Sequence, residues 1–304
     1  MSTPLSLVPK PQPDDGSSAG EDPLDLAVVA DRIGWEEKAI LAAARERGAR
    51  AEWLNDGKLC CGSREDLPAA GAYLIRSRSF VRGPLIAESI ASGASDESVI
   101  NSAETIATCS NKVTALARLR QIGLPTVPYR LVLTRADLAT ALDVLGCPLV
   151  LKPVYGGLGR RVMLVRERAV ADSMYDYVEH YGQNFDRALI AQPYLERASD
   201  VRVLAIDGAA VAAMERIPTG DWRANVELGA AAEPIEVDKA LEAMTTEVGE
   251  RIGARIFGLD LFRHEGALTI GEVNHSPLFR GIVEATGIDV AGRIADHALT
   301  VAVR

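Results

Sequence analysis

Two carboxylates and one amide lie within apolar, strand-like segments in the last quarter of the chain. Asp260 is flanked by leucines in FGLDLF, and Glu272 and Asn274 stand two residues apart in ALTIGEVN. Side chains two apart on a strand leave the same face, and a carboxylate inside an apolar strand needs a compensating partner. The three side chains could converge on a hard cation such as Mg²⁺, which prefers oxygen ligands. The residues alone leave open the alternative that Asp260 and Glu272 pair with arginines or face solvent.

A glycine-rich turn joins two apolar runs in PLVLKPVYGGLGRRVMLV. The turn contains Gly156, Gly157 and Gly159, and Lys152 lies among apolar residues in the first run. Glycines let backbone N–H groups approach phosphate oxygens, and a lysine one strand earlier can reach the same anion. The turn is not a P-loop, because it leads into a strand rather than a helix, and the Rossmann fingerprint is absent for the same reason. A lone GGLG turn is also typical of a plain hairpin, but the apolar setting of Lys152 favours an anion site.

Three arginines fall in or beside predicted strands. They are Arg202 in DVRVLAI, Arg216 in AAMERI and Arg223 in DWRAN. Guanidinium groups bind phosphates and carboxylates through paired hydrogen bonds, although each of these could instead be a surface arginine. No serine, cysteine or histidine pattern indicates nucleophilic catalysis, and the four histidines lack metal-ligand spacing. The sequence therefore offers cations and carboxylates rather than a nucleophile.

The first part of the chain has the pattern of a parallel α/β unit. Residues 1–23 are rich in Pro, Ser, Gly and Asp and are predicted to be a disordered tail. The alternation of strand, helix and strand that follows is typical of a parallel sheet with crossover helices. The predicted strands are 24–31, 49–54, 72–76 and SVIN, and the predicted helices are 36–47 and 84–92.

The rest of the chain mixes short strands and helices, which favours an α+β arrangement. Ser110 is predicted to cap a helix that ends at Gly123, before Pro125. The elements predicted beyond it are strands RLVL, PLVLKPV, RRVMLV, ALIAQPYL, VRVLAID, AVAAMERI, FGLDLF and ALTIGEVN, and helices at 136–145, 169–181, 237–252 and 286–301. The change in pattern places domain boundaries near residues 108 and 190.

Composition excludes several classes of protein. The 304 residues are 48% hydrophobic and contain 33 basic against 42 acidic side chains, a net charge of −9 that argues against a nucleic-acid binder. No apolar run reaches the roughly 18 residues that span a bilayer, and the first residues lack the pattern of a signal peptide. Four cysteines form neither a disulfide framework nor paired zinc ligands. We expect a cytoplasmic protein without membrane or nucleic-acid partners.

Together these stretches resemble the ATP-grasp ligases, in the branch of the ribosomal-protein glutamate ligase RimK and the lysine-biosynthesis ligase LysX. The order GLDLF, TIGEVNHSP and EATGIDVAGRIADHAL carries most of the resemblance. It implies a three-domain ATP-grasp fold, α/β and α+β, with an N-terminal parallel α/β domain. The implied pieces are the tail at 1–23, the N-terminal domain at 24–108, a central subdomain at 109–190 and a C-terminal subdomain with the metal site at 191–304.

The resemblance also implies roles for individual residues. Asp260, Glu272 and Asn274 would bind Mg²⁺, with Mn²⁺ as a substitute, and Arg202 and Arg223 would meet an acyl-phosphate. Arg216 and Asn225 would lie at the phosphates or the metals, and Asp200 near the ribose. The residues implied to contact ATP elsewhere are Lys112, Lys152, the turn glycines Gly156, Gly157 and Gly159, and the hinge residues Gln192, Pro193, Tyr194 and Leu195.

The implied reaction has two steps. A substrate carboxylate attacks the γ-phosphate of ATP, and an amine then displaces phosphate from the acyl-phosphate to form an amide. The amine would come from an amino acid, and the carboxylate from the C-terminal glutamate of a small acidic carrier protein. An alternative is a free-standing amino-acid or peptide ligase that makes a small metabolite. From another class, the chain could be a catalytically silent nucleotide-binding module that regulates a partner.

The substrate side of the resemblance is mixed. NHSPLFRG has Leu278 where LysX-like enzymes carry a glutamate, although His275 and Phe279 follow LysX. In RSRSFVRG, arginines could meet an acidic substrate or carrier tail, or could lie in a solvated loop. The residues implied to contact substrate are Arg76, Arg78, His275, Ser276 and Phe279. The family also implies a homo-oligomer, a dimer or tetramer.

Overall fold

The N-terminal sheet is parallel throughout, as the alternating pattern predicted. The computed structural model describes residues 22–59, 67–94, 96–157, 160–183, 186–196, 199–217, 222, 231–264 and 266–302. The strand order is β2-β1-β3-β4, and the central strand β1 buries six of its seven residues, as expected of a parallel strand covered on both faces. The elements are β1 (Leu24–Ala30), α1 (Trp35–Glu46), β2 (Ala51–Asn55), β3 (Ala70–Ile75), α2 (Arg82–Gly93) and β4 (Val99–Ile100). Of the predicted tail, residues 1–21 lie outside the described residues.

The helix predicted to begin at Ser110 is the second of two consecutive helices, and the first was not predicted. The first, α3 (Ala103–Ser110), starts at Ser102, whose hydroxyl accepts a hydrogen bond from the Thr105 N–H at 3.2 Å. The second, α4 (Lys112–Gln121), starts at Asn111, whose Oδ1 accepts from the Thr114 N–H at 3.1 Å. The prediction of Ser110 as a cap is therefore wrong, because the Asn111 side chain satisfies the free N–H groups of α4 and Ser110 is the last residue of α3.

The central sheet has the order β5-β8-β6-β7, and all its pairs are antiparallel. Its apolar face packs against two helices around Leu138, Leu151 and Tyr175, which gives it a core of its own. The elements are β5 (Arg130–Val132), α5 (Arg135–Leu145), β6 (Leu149–Pro153), β7 (Met163–Val165), α6 (Arg168–Tyr181) and β8 (Leu189–Pro193).

The C-terminal sheet is antiparallel with the order β11-β10-β9-β12-β13. One of its apolar sets packs on α4 and α7, and another joins the core of the N-terminal sheet. The elements are β9 (Ser199–Ile206), β10 (Ala209–Ile217), β11 (Ala231–Ile235), α7 (Lys239–Ile252), β12 (Ile256–His264), β13 (Ala267–Asn274), α8 (Arg280–Thr286) and α9 (Val290–Ala302). The sequence analysis did not predict β11.

The predicted closing helix at 286–301 corresponds to the second of two consecutive helices, and the first was not predicted. Helix α8 ends at Gly287, which adopts a left-handed φ of +69° and closes the helix, as glycine does readily. Helix α9 then packs on α1 and on β1 and β3 of the N-terminal sheet. The end of the chain therefore returns to its beginning, and the predicted domain boundaries remain predictions. No helix among the described residues is long and apolar enough to cross a membrane.

Candidate active site

A cavity of 530 Å³ lies between the central and C-terminal sheets. Strands β6 and β8 line one side, and strands β9, β10, β12 and β13 line the other. Its lining includes twelve of the residues singled out from the sequence: Lys112, Lys152, Gly156, Gly157, Gln192, Pro193, Tyr194, Leu195, Asp200, Arg216, Asp260 and Glu272. The fold thus brings segments from more than half the chain to one place.

The two acids of the predicted metal site are cross-strand partners. Asp260 on β12 stands directly opposite Glu272 on β13, next to a bulge at which the register shifts. Gly271 occupies this irregularity, and a Cβ there would come within 2.7 Å of the Phe262 ring. Asn274 lies two residues further along β13 and donates a hydrogen bond to Asp260 Oδ2 at 3.2 Å. The three predicted ligands therefore lie side by side, and their role in binding a metal remains a prediction.

Cationic side chains surround these acids, so the predicted pairing with arginines is also present. Arg202 binds Asp260 through two hydrogen bonds of 2.7 Å, from Nε and Nη2. Arg216 pairs with Asp200 and lies 3.2 Å from Asp260 Oδ1. Burial alone would raise the pKa of Asp260, but the two arginines hold the pKa well below its usual range. Asp260 is thus a permanent anion in a cationic setting.

Asp200 is the partner of Arg216 in this ion-pair network. It lines the cavity, and its predicted place near the ribose remains a prediction. Burial raises the pKa of Asp200 to about 6, against the pull of Arg216 and with a contribution from the Asp260 charge. Both acids therefore help to hold the Arg216 guanidinium, which is 4% exposed, at the cavity wall.

Two lysines lie between the acids and the glycine turn. Lys112, the first residue of α4, places Nζ 3.2 Å from Glu272 Oε1 and donates a hydrogen bond to the Gly156 carbonyl at 2.5 Å. Lys152 on β6 is buried, and burial lowers its pKa to about 8 although the Glu272 charge opposes the change. Lys152 and Lys112 both line the cavity, and each interacts with the Glu272 carboxylate. Gly159 lies outside the described residues.

The lining of the cavity also includes apolar side chains. Val127, Val150, Val162 and Phe262 line it together with the predicted hinge residues at the end of β8. Gln192 is 3% exposed, and its Nε2 has no hydrogen-bond partner among the described residues. Apolar side chains together with one amide donor suit a flat ring with polar edges.

Two residues with polar or aromatic side chains are among the lining residues that were not predicted from the sequence. Trp222 contacts Tyr194 edge-to-face, with ring centroids 5.9 Å apart, and Arg160 follows the glycine turn. The signal for Trp222 was its place in DWRAN beside Arg223, and the signal for Arg160 was its place in GGLGRR. Arg223 and Asn225 lie outside the described residues.

The predicted substrate contacts lie at the junction of the N-terminal sheet and the loop after β13, and two of them are wrong as direct contacts. The Arg76 side chain is 1% exposed, pairs with Glu37 at 3.1 Å, and donates to the Pro277 carbonyl at 3.0 Å. Phe279 is fully buried, with its ring 5.8 Å from that of Trp35. The sequence around Arg76 and Phe279 contains no signal that these two side chains are buried at this junction. These two residues hold the junction together.

The other predicted substrate residues remain predictions. Ser276 donates a hydrogen bond from Oγ to the Arg76 carbonyl at 3.2 Å. Burial, with a contribution from Arg76, lowers the pKa of His275 to about 4, so the ring is neutral at pH 7. Arg78 is partly exposed on the loop after β3. None of these three lines the cavity described above.

Comparisons with known proteins agree with this architecture. Residues 109–298 match the model of the RimK-like ATP-grasp domain. Glutamate–LysW ligase ArgX of Sulfolobus acidocaldarius is 30% identical over 282 residues, which cover 90% of this chain and 97% of that protein. α-Aminoadipate–LysW ligase LysX of Sulfurisphaera tokodaii is 28% identical, with 88% and 95% covered. The RimK-domain ATP-grasp protein of Sphaerobacter thermophilus superposes with a TM-score of 0.73 at 24% identity, with 90% and 98% covered. The chain is therefore an enzyme of the RimK-like ATP-grasp family, a ligase with the ATP-grasp fold.

Proposed function

We propose that this ligase forms an amide bond through an acyl-phosphate and joins an amino acid to the C-terminal glutamate of a small acidic carrier protein. The observation that carries the proposal is the cavity in which Lys112, Lys152 and Arg216 face the Asp260–Glu272 pair. The two LysW ligases among its relatives support a carrier protein as the substrate that supplies the carboxylate.

ATP fits the cavity in one orientation. The apolar lining residues near Gln192 and Tyr194 take the adenine, and Gln192 Nε2, which has no hydrogen-bond partner among the described residues, offers a donor to a ring nitrogen. The phosphates then extend toward Lys112, Lys152 and the backbone of the glycine turn. Concentrated positive charge of this kind is what binding and transfer of a phosphoryl group require, since positioning and charge neutralisation dominate that reaction.

The donor set fits Mg²⁺. Carboxylate oxygens of Asp260 and Glu272 and the amide oxygen of Asn274 are hard ligands, and both acids lie on one face of the β12–β13 hairpin. These three residues would hold the metal, and Mn²⁺ would replace it. When bound, the metal neutralises charge on the β- and γ-phosphates and acts as a Lewis acid. Arg202 and Arg216 keep Asp260 ionised and fixed for this purpose.

The chain's residues act on the reacting groups as follows. The substrate carboxylate attacks the γ-phosphorus, the bond to the β-phosphate oxygen breaks, and ADP leaves. The amine then attacks the acyl carbon, loses a proton, and inorganic phosphate leaves. Lys152 and Arg216 stabilise the transferred phosphoryl group, together with Arg202 and Arg223. The turn that contains Gly156 and Gly157 closes over the acyl-phosphate and excludes water.

A panel of substrates tests the function. ADP release would be measured with Mg²⁺, ATP and each amino acid, with and without an acidic peptide that ends in glutamate. We expect release that depends on both the peptide and one amino acid. Release with free amino acids alone would favour the small-metabolite ligase, to which Leu278 in place of an acid also points. No ADP release with any pair, together with tight ATP binding, would favour the silent regulatory module.

We also propose that the enzyme is a homo-oligomer, either a dimer or a tetramer. An association surface needs exposed apolar side chains, and edge strand β5 offers Leu131, which is 40% exposed, and the adjacent Leu133, which is 52% exposed. Light scattering of the wild type and of Leu133→Glu would test this surface.

A further inference from the structure

We infer that Asn101, which takes no part in the chemistry above, is a positioning residue that fixes the end of β13 and thereby the amide of Asn274. The inference rests on the proposed function, because Asn274 matters there as a metal ligand. Asn101 belongs to the N-terminal sheet, where it directly follows β4, and it is 2% exposed.

The Asn101 amide makes four hydrogen bonds to the hairpin that carries the metal site. Its Nδ2 donates to the carbonyls of Ile256, at 2.7 Å, and His275, at 3.1 Å. Its Oδ1 accepts from the N–H groups of Arg255, at 2.8 Å, and Ile256, at 3.1 Å. Both donors and both acceptor positions of the amide are therefore used.

The pairing of β12 with β13 explains why an amide side chain is needed to connect the two strands at this end of the hairpin. The last cross-strand pair at the open end of the hairpin is Gly258 with Asn274. Beyond that pair, Ile256 and His275 both present carbonyl oxygens, and two acceptors cannot bond to each other. An NH₂ group has two hydrogens and can join them, so Asn101 adds a connection where the strand pairing has stopped.

This connection lies one residue from the proposed ligand. His275 follows Asn274, whose side chain donates to Asp260 Oδ2 at 3.2 Å. The chain then turns so that Pro277 packs over Gly258, where a Cβ would come within 2.9 Å of the proline ring. Without Asn101, the His275 carbonyl would lose its only hydrogen bond to the N-terminal sheet among those the structure describes. The position of Asn274 relative to Asp260 would then loosen, and supporting groups of this kind tune metal sites.

Thr105 provides a matched control at the same junction. It is 1% exposed, and its Oγ1 donates to the carbonyls of Ile252, at 3.2 Å, and Gly253, at 2.9 Å. Those carbonyls end α7 and do not belong to the β12–β13 hairpin. Thr105→Val therefore removes a buried contact between the N-terminal and C-terminal parts without touching the metal-site strands.

The experiment measures Mn²⁺ binding by electron paramagnetic resonance in the presence of ADP and without other substrates. Asn101→Asp places an oxygen against two carbonyls, and Asn101→Ser removes the contacts with less strain, so that one variant remains if the other does not fold. We expect both to bind Mn²⁺ about tenfold or more weakly, as for other supporting residues of metal sites. Thr105→Val should bind Mn²⁺ as the wild type does, even where thermal unfolding shows a similar loss of stability.

Two results overturn the inference. One is wild-type Mn²⁺ affinity in a folded Asn101 variant, and the other is an equal loss of affinity in Thr105→Val. If the wild type with ADP binds no Mn²⁺, the proposed metal site itself fails and the inference fails with it. The failure of Asn101 alone is thus distinguishable from the failure of the proposed function.

Discussion

Asp260 is the residue on which the charges of the cavity converge, since Arg202, Arg216 and Asn274 all lie within 3.2 Å of its carboxylate. The pairing of Asp260 with arginines, which the sequence left open, is present, and the Asn274 amide reaches the same carboxylate. The ion pairs keep the carboxylate ionised and correctly placed, and the proposed metal would share it with them. The residue thus has a structural and a chemical task, and the two can be separated by mutation.

Asp260→Asn should abolish turnover and also destabilise the protein. It removes a proposed ligand, and it removes the negative charge to which Arg202, whose side chain is 14% exposed, donates two hydrogen bonds. We expect ADP release to fall about a hundredfold and the free energy of unfolding to drop by about 3 kcal/mol. Urea unfolding beside the ADP assay measures both. Adding Arg202→Met should restore part of the stability but no activity, and near-normal turnover of Asp260→Asn with Mg²⁺ would show that the metal assignment is wrong.

Lys152 should make ATP binding sensitive to pH. Burial lowers its pKa to about 8, so the free enzyme loses this positive charge as the pH rises through 8. At pH 9 only about one-tenth of the enzyme carries it, which predicts a roughly tenfold weaker ATP affinity than at pH 7. Isothermal titration across this range gives the profile. Lys152→Met should bind weakly at pH 7 and show a flat profile, and an unchanged affinity would remove Lys152 from the site.

At the scale of single elements, the β12–β13 hairpin contains a β-bulge that determines where its side chains point. The register shifts next to Asp260, and Gly271 packs its Cα face against the Phe262 ring. A bulge of this kind redirects side chains beside a functional site. Here it allows Asp260 and Glu272 to stand opposite each other while Leu261 and Ile270 remain in the core.

Gly271→Ala should therefore damage the site out of proportion to its effect on stability. The new methyl group would lie 2.7 Å from Phe262 and force β13 away from β12, at a cost of about 1–3 kcal/mol for overpacking. Gly71→Ala is the matched control, because its Cβ meets Ala302 at the same 2.7 Å, far from the cavity. Chemical denaturation and Mn²⁺ binding are compared for both variants. Equal Mn²⁺ affinity in the two would contradict a role for the bulge.

Some helices and strands could be predicted from the sequence and others could not. A continuous apolar run was sufficient to predict β1, helical spacing was sufficient for α1, and short apolar runs were sufficient for the two strands of the hairpin. These patterns did not show that Asn111 ends one helix and caps the next, so α3 was missed and the cap of α4 was placed at Ser110. Strand β11 was missed for another reason, because it is an edge strand with mostly exposed residues. Arg76 was misplaced because burial by a distant segment leaves no local signal.

At the scale of the whole molecule, the cavity lies between parts that have different cores. The N-terminal sheet, α9 and one face of the C-terminal sheet share a core that includes Leu74, Ile256 and Ile294. The central sheet has a separate core around Leu138 and Leu151. Small direct links join the two parts, among them the hydrogen bond from Val127 N–H to the Ile270 carbonyl at 3.0 Å. An arrangement of this kind allows one wall of the cavity to move as a unit.

Two core truncations should therefore destabilise different parts of the protein. Leu138 in α5 and Ile294 in α9 are both fully buried, so that either change to alanine should cost about 2–5 kcal/mol of local stability. We expect Leu138→Ala to speed hydrogen exchange in β5–β8 and their helices only, and Ile294→Ala to speed it in both the N-terminal and C-terminal sheets. Exchange measured by mass spectrometry distinguishes these patterns. ATP bound in the cavity should slow exchange in the central sheet of Leu138→Ala, because the ligand holds that sheet against the rest. Faster hydrogen exchange throughout the chain in both variants would instead mean that the protein unfolds as one cooperative unit. In that case the central sheet would not move separately, and ATP would have to enter past the glycine turn alone.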